Sequence, residues 1–204
     1  HQLSTIEGGM VVTDEPILDS VLRMLRAHGW AADLDPAQEE VWWRDKAPGR
    51  WDFDRKFTFY LPGMNARPTE LQAFLGLRQM QRIDQMVARR VANDARYRKN
   101  LGGVEYFQIQ RPAEGDQVCS IAVGVLAASP EHRAKVAYAL GQAGIETRPI
   151  GGGNLARQPF IANADHKCPM ADEIGRRGFQ LPNTLALSES DVDFISETVL
   201  KIRP

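Results

Sequence analysis

The sequence predicts an α/β fold, and three observations predict it. Cys119, Ile121, Val123 and Val125 alternate with other residues across 118–126, the period of a half-buried strand. Val192, Ile195, Val199 and Ile202 recur at helical spacing behind Ser188-Glu189-Ser190-Asp191, an N-cap signature. Between such segments the period switches at Pro, Gly and Ser punctuation, so strands alternate with helices along the chain.

Taken in order, the chain opens on His1-Gln2-Leu3-Ser4-Thr5-Ile6. Glu7-Gly8-Gly9 then reads as a tight turn feeding the apolar run Met10-Val11-Val12. Asp14-Glu15-Pro16 starts a helix, with Asp14 as the expected cap; Ile17, Val21, Leu22 and Leu25 give its apolar face, and Gly29 ends it. His28 stands at that helix end, where a histidine serves as a C-terminal cap or as a ligand. Residues 31–56 read as irregular, with Trp42, Trp43 and Trp51 placed either to pack on the body or a partner subunit or to stack on a ligand. Phe57–Tyr60 reads as a strand stopped by Pro62-Gly63. From Pro68, the residues Leu71, Phe74, Leu75, Met80, Ile83, Val87 and Val91 form one stripe that runs to about Lys99 and closes at Gly102-Gly103. A single helix of ~30 residues, about 45 Å long, is expected there. Strands are expected over 104–109, 118–126 and 145–148, and a helix capped by Ser129 over 130–140. Residues 150–167 form a loop rich in Gly, Asn and Pro, and Cys168–Arg177 reads as a helix.

At 204 residues the chain suits one large domain or two small ones, and its 43% apolar content is enough for a core. A formal charge of −1 gives no broad pull toward nucleic acid or membrane. No apolar run approaches the ~18 residues needed to span a bilayer. Cys119 and Cys168 lack metal-ligand spacing, so no metal is expected, and the thiols read as buried or idle in a reducing cytoplasm. The chain starts on His1 with neither an initiator Met nor a signal peptide, and it reads as a C-terminal fragment of a longer protein.

Three segments carry chemistry. The first is His1 through Gly9. The second is Gly63-Met64-Asn65-Ala66-Arg67-Pro68-Thr69-Glu70-Leu71-Gln72, where an amide just before a helix start either caps the loop or donates to an anion. The third runs from Gly144-Ile145-Glu146-Thr147-Arg148-Pro149 through Gly151-Gly152-Gly153-Asn154-Leu155-Ala156-Arg157-Gln158-Pro159. It is either a solvated surface loop or a flexible cradle whose Arg148, Asn154 and Arg157 hold phosphate or hydroxyl groups.

In this order and at these separations, the segments resemble the sugar aminotransferases of the DegT/DnrJ/EryC1/StrS type. Those enzymes carry a cofactor-binding lysine, held as a Schiff base, eight residues before the second glycine of an [E/D]-G-G turn. Counting back from Gly9 lands on His1. Imidazole cannot form that linkage but titrates near neutrality, so it reads as a general base. A histidine there, and the G-N-[LF]-x-R-[QN]-P pattern at 153–159, are similar to the 3-dehydratase branch. With no Cys before Cys119, the iron–sulfur variant of that branch is not the match. Ala66 departs from the aromatic common among the aminotransferases.

The resemblance implies the C-terminal part of a fold-type I, aspartate aminotransferase-like enzyme. Residues 1–67 would end the large domain, and 68–204 would form a small α/β domain entered by the long helix. It implies pyridoxal 5'-phosphate and its pyridoxamine form as cofactor, and glutamate and a nucleotide-linked 4-keto-6-deoxyhexose as substrates. It further implies loss of the sugar 3-hydroxyl in dideoxysugar synthesis for surface polysaccharide such as the lipopolysaccharide O-antigen. A cytoplasmic homodimer with shared active sites follows from the same likeness. His1 would be catalytic, Asn65 would bind the cofactor phosphate, and Arg148, Asn154, Arg157 and His28 would bind substrate. The alternatives are a nucleotide-sugar aminotransferase and a non-catalytic truncated relative. The fragment alone is expected to be inactive.

Overall fold

A computed structural model describes residues 2–47, 49, 51–161 and 167–204. The chain forms two compact units, Leu3–Met80 and Gln81–Pro204, with Gln2 belonging to the second.

The Leu3–Met80 unit holds α1 (Pro16–Arg26), α2 (Pro36–Lys46) and α3 (Glu70–Met80). Proline supplies the first turn of both α1 and α2. The N-cap of α1 is Glu15, without a side-chain cap, and not Asp14; Thr13 Oγ1 instead accepts from the Glu15 amide at 3.1 Å. Residues 31–56 are not irregular. Asp35 accepts from Gln38 N at 2.9 Å and starts α2, and a 3-10 segment follows at Asp52–Phe57. Among the described residues of this unit, Met24, Ala27, Ala31 and Ala47 are the buried apolar ones. Trp30 stacks on Phe57 at 5.4 Å and donates from Nε1 to the Lys56 carbonyl at 2.7 Å. Trp42 lies 5.9 Å from Tyr60, and the Arg55 guanidinium covers Trp43. Phe57–Tyr60 is not a strand: Phe59 makes one isolated bridge, to Trp30.

The single long helix is also corrected. A turn at Gln81 and Arg82 separates α3 from α4 (Ile83–Leu101), with Arg82 at φ −122°, ψ 6°. No Gly or Pro marks the break, and nothing in the local contacts explains it. The expected stripe is not one buried face: Leu71 and Phe74 are exposed, while α4 buries Met86, Asn93, Asp94, Tyr97 and Leu101.

In the Gln81–Pro204 unit, β1 (Phe107–Ile109), β2 (Ala122–Ala127) and β3 (Gly178–Pro182) form an antiparallel sheet of order β1-β2-β3. Phe107 pairs with Ala127 and Val125 with Phe179. Residues 145–148 contribute only a bridge from Arg148 to Gln180, so β3 is the strand that completes the sheet. Around it lie α5 (Pro130–Gln142), α6 (Pro169–Arg177) and α7 (Glu189–Leu200). Val123, Val125 and Ala127 point inward with Phe107, Phe179 and Leu181; they meet Tyr97 and Leu101 of α4, Val136 and Leu140 of α5, and Val192, Ile195 and Val199 of α7. These buried apolar side chains supply the main stabilisation, with each Val, Leu, Ile or Phe worth about 1.5–3 kcal/mol.

Polar groups fix this core. Ser188 and Asp191 form a reciprocal capping box at the start of α7. His132 is buried against the rings of Tyr106 and Phe107, which also contact each other. The Ala128 amide donates to its Nδ1 at 3.3 Å, so the ring is the Nε2–H tautomer and donates to the Ile202 carbonyl at 2.9 Å. Between α4 and α7, Arg96 forks onto Asp193 at 2.7 and 2.6 Å, and Asn100 donates to the same carboxylate at 2.9 Å.

The Asp193 carboxyl is lowered from 3.8 to about 2, first by the Arg96 hydrogen bonds and then by Asn100. A depressed carboxyl contributes stability above its unfolded value that is lost as pH falls through the folded value. The urea midpoint is therefore expected to hold from neutrality to about pH 4 and to fall between about pH 4 and 2. Asp193→Asn should lower the neutral midpoint and flatten that acid limb, read by circular dichroism.

Candidate active site

Residues 3–9 of the first chemistry-bearing segment meet the second segment inside the Leu3–Met80 unit. After α1 the backbone turns through His28 and Gly29, both left-handed at φ 65° and 84°. His28 is one of two non-glycine residues with positive φ among those described, and such backbone strain concentrates at functional sites. The segment 61–66 runs against this turn. Met64 N donates to Leu25 O at 2.7 Å, His28 N to Met64 O at 2.7 Å, and Ala66 N to Arg26 O at 2.8 Å. A bridge pairs Ala27 with Asn65. The glycines permit the approach. A Cβ on Gly63 would meet Gly29 N at 2.1 Å, and one on Gly29 would meet Leu61 O at 1.6 Å. Thus His28 and Asn65 are brought onto neighbouring backbone, and both side chains are exposed.

Arg67 Nε donates to Asn65 Oδ1 at 3.3 Å. This turns the amide so that Nδ2 stays free to donate, with a guanidinium beside it. An exposed amide N–H next to an arginine is a donor set that fits a phosphate. Thr69 and Gln72 then cap α3 reciprocally: Thr69 N donates to Gln72 Oε1 at 2.8 Å, and Gln72 N to Thr69 Oγ1 at 3.4 Å. The other end of the Gln72 amide donates to the Glu7 carbonyl at 2.6 Å. Ser4 N donates to Gln79 Oε1 at 2.8 Å. The segment following the first two residues is thus laid along α3, which ties the Glu7-Gly8-Gly9 turn to the Asn65 segment. His1 itself lies outside the described residues.

The third segment belongs to the Gln81–Pro204 unit. Gly151, Gly152 and Gly153 all have positive φ, and Gly153 lies against Gly175 of α6, its Cβ position 3.3 Å from the Gly175 Cα. Asn154 is buried; its Oδ1 accepts from Ala156 N at 3.0 Å and so caps the short 3-10 turn Leu155–Arg157. Its Nδ2 donates to Asp172 Oδ1 at 3.0 Å. Arg157 forks onto the same carboxylate, Nε to Oδ1 at 2.5 Å and Nη2 to Oδ2 at 2.8 Å. The Arg157 guanidinium, first, and the Asn154 amide hold the Asp172 carboxyl well below the usual carboxylate range. Arg148 stands apart from this cluster: it is exposed, its Nε donates to Glu146 at 2.9 Å, and its carbonyl accepts from Gln180 N at 2.7 Å. So Asn154 and Arg157 are brought together and Arg148 is not. Residues 162–166 of the expected loop lie outside the described residues.

The sheet face opposite α4, α5 and α7 carries a groove of about 750 Å³, with Gln108, Gln110, Gly124, Ile150, Ile174 of α6 and Gln180 among its lining. The sequence reading missed Arg67, Gln72 and Asp172 as site-building residues. Asp172 gave no local signal, since an acid in a first helical turn is ordinary dipole pairing.

A model of the DegT/DnrJ/EryC1/StrS aminotransferase family matches residues 1–200. The GDP-4-keto-6-deoxy-D-mannose 3-dehydratase of Yersinia pseudotuberculosis is 31% identical over 161 residues, covering 79% of this chain and 40% of its own length. The structure of an E. coli GDP-4-keto-6-deoxy-D-mannose-3-dehydratase with bound hydrated PLP superposes with a TM-score of 0.82 at 23% identity, covering 98% of this chain and 51% of that one. A GDP-4-keto-6-deoxymannose-3-dehydratase with a trapped PLP-glutamate geminal diamine gives 0.79 at 24% identity, over 97% of this chain and 52% of that one. The fold is therefore the PLP-dependent aminotransferase fold. The chain spans about half the length of the curated relatives it matches.

Gly63→Ala is expected to force the 61–66 segment off the His28-Gly29 turn and cost at least about 2 kcal/mol. Gly103→Ala, where a Cβ meets nothing within 4 Å, should stay within about 0.5 kcal/mol of the parent. All four tryptophans lie in the Leu3–Met80 unit, so the urea midpoint followed by tryptophan fluorescence reads the first effect directly.

Proposed function

Because the chain belongs to the DegT/DnrJ/EryC1/StrS aminotransferase family, we propose that its protein removes the 3-hydroxyl of a nucleotide-linked 4-keto-6-deoxyhexose, using pyridoxal phosphate and glutamate. The observation that carries the reading is His1, eight residues before the second glycine of Glu7-Gly8-Gly9, the spacing at which the family resemblance expects the cofactor-binding lysine. The relatives named as 3-dehydratases support it. In this reading residues 1–67 end the large domain and residues 68–204 form the small C-terminal one. The enzyme works in the cytoplasm on a sugar destined for surface polysaccharide.

Asn65, steadied by Arg67, is the group that would hold the cofactor phosphate. When bound, the pyridoxamine form supplies an amine for the 4-keto carbon and a ring that acts as an electron sink. His1 takes a proton from the carbon being deprotonated and returns it to the departing 3-hydroxyl. One imidazole serves both transfers because its titration range lies at working pH, and such a transfer is worth typically ~10²–10⁴-fold. Arg148, Asn154 and Arg157 hold the nucleotide sugar through charge and hydrogen bonds, and His28 flanks the Asn65 segment as a further substrate group. Working as a homodimer is part of the reading. Phe53, Phe57, Leu71 and Phe74 are exposed on the Leu3–Met80 unit, which supports coverage by further protein surface.

In the holoenzyme, His1→Asn is expected to lower 3-deoxygenation by at least about 10²-fold while cofactor binding persists. His1→Lys should bind the cofactor covalently, detected as a borohydride-fixed mass increase. Near-normal turnover by His1→Asn would overturn the assignment.

A further inference from the structure

We propose that Asp172 is a positioning residue that holds Arg157 and Asn154 ready for the phosphate-bearing substrate. The inference rests on the substrate-binding reading of those two residues given above. Asp172 stands in the first turn of α6. That helix is itself anchored: Arg133 Nη1 donates to Gly175 O at 3.0 Å, and Arg177 Nε donates to Ala127 O of β2 at 2.7 Å. The carboxylate is thus presented from a fixed platform to a loop that has three successive positive-φ glycines and little rigidity of its own. Its two oxygens take three donors, Asn154 Nδ2, Arg157 Nε and Arg157 Nη2.

The geometry separates what is used from what is left. The fork consumes Nε and one Nη2 hydrogen of Arg157, so both Nη1 hydrogens and the second Nη2 hydrogen remain. The Arg157 side chain is 73% exposed while Asp172 is 21% exposed, so the unused edge of the guanidinium faces solvent and the used edge faces the protein. An arginine held this way presents a charged, oriented donor edge to a phosphate without first losing side-chain freedom. The same carboxylate fixes Asn154, which caps the turn carrying Arg157, so one group sets both side chains. Asp172 touches no substrate in this account; it acts through Arg157.

The test measures steady-state kinetics of the holoenzyme with GDP-4-keto-6-deoxy-D-mannose at saturating glutamate, for Asp172→Asn, Arg157→Ala and the double variant, with Asp172→Glu as the conservative control. Asp172→Asn is expected to raise KM about tenfold and change kcat by less than about twofold. Arg157→Ala should raise KM at least as much, and the double variant should be no worse than Arg157→Ala alone, because the two act through one contact. Asp172→Glu should recover most of the loss. If Arg157→Ala raises KM but Asp172→Asn does not, or if the double variant is additive, the positioning role is wrong and the substrate reading stands. If Arg157→Ala leaves KM unchanged, the substrate reading of Arg157 fails and this inference falls with it.

Discussion

The close approach of Gly29 to Leu61 and Gly63 is the constraint on which the Leu3–Met80 unit depends. With backbone on both sides, no side chain can shift to make room. That contact aligns Leu25, Arg26 and His28 with Met64 and Ala66, and the alignment puts Asn65 beside Ala27. Once the 61–66 segment is fixed, Thr69 caps α3 and the free end of Gln72 reaches the Glu7 turn. The Glu7 turn and α3, 65 residues apart at the Gln72 tether, are held together by the Gln72 and Gln79 side-chain amides. The motif letters have a physical meaning here: glycine for backbone contact, asparagine for a free donor, and Thr-x-x-Gln for the cap and tether.

The Gln81–Pro204 unit solves a different problem. A three-stranded antiparallel sheet has one face buried by α4, α5 and α7, and its edge bears a loop rich in left-handed glycines. Such a loop can approach a ligand closely but does not hold side chains still. The structure compensates with an ionised carboxylate on an anchored helix. Rigidity at the Gly63 crossing comes from backbone contact, and rigidity at Asn154 and Arg157 comes from a fork of charged hydrogen bonds.

The sequence made the strongly punctuated elements legible. The cap at Ser188 and the apolar face behind it located α7, Ser129-Pro130 located α5, and the alternation around Val123 and Val125 located β2 within a few residues. Helix α2 was missed because its residues carry no apolar stripe, so only Asp35-Pro36 marked it. Strand β3 was missed because Gly178–Pro182 follows α6 without a turn signal and is short. The break between α3 and α4 had no Gly or Pro to announce it. Within the site, motif spacing marked Asn65, Asn154 and Arg157 as candidates. Asp172 needed the fold, because its partners come from a separate loop and its own sequence context suggests only a helix start.

The reading of His1 as a base with no covalent hold on the cofactor makes a stoichiometric demand. Deoxygenation and aminotransfer both consume glutamate, but only deoxygenation returns the nitrogen as ammonia. The holoenzyme should be incubated with GDP-4-keto-6-deoxy-D-mannose and ¹⁵N-glutamate, and the sugar product and ammonia analysed together. The account predicts a 3-deoxy-4-keto sugar without label and one labelled ammonia for each 2-oxoglutarate formed. A product that keeps its 3-hydroxyl and carries ¹⁵N at carbon 4 would contradict it.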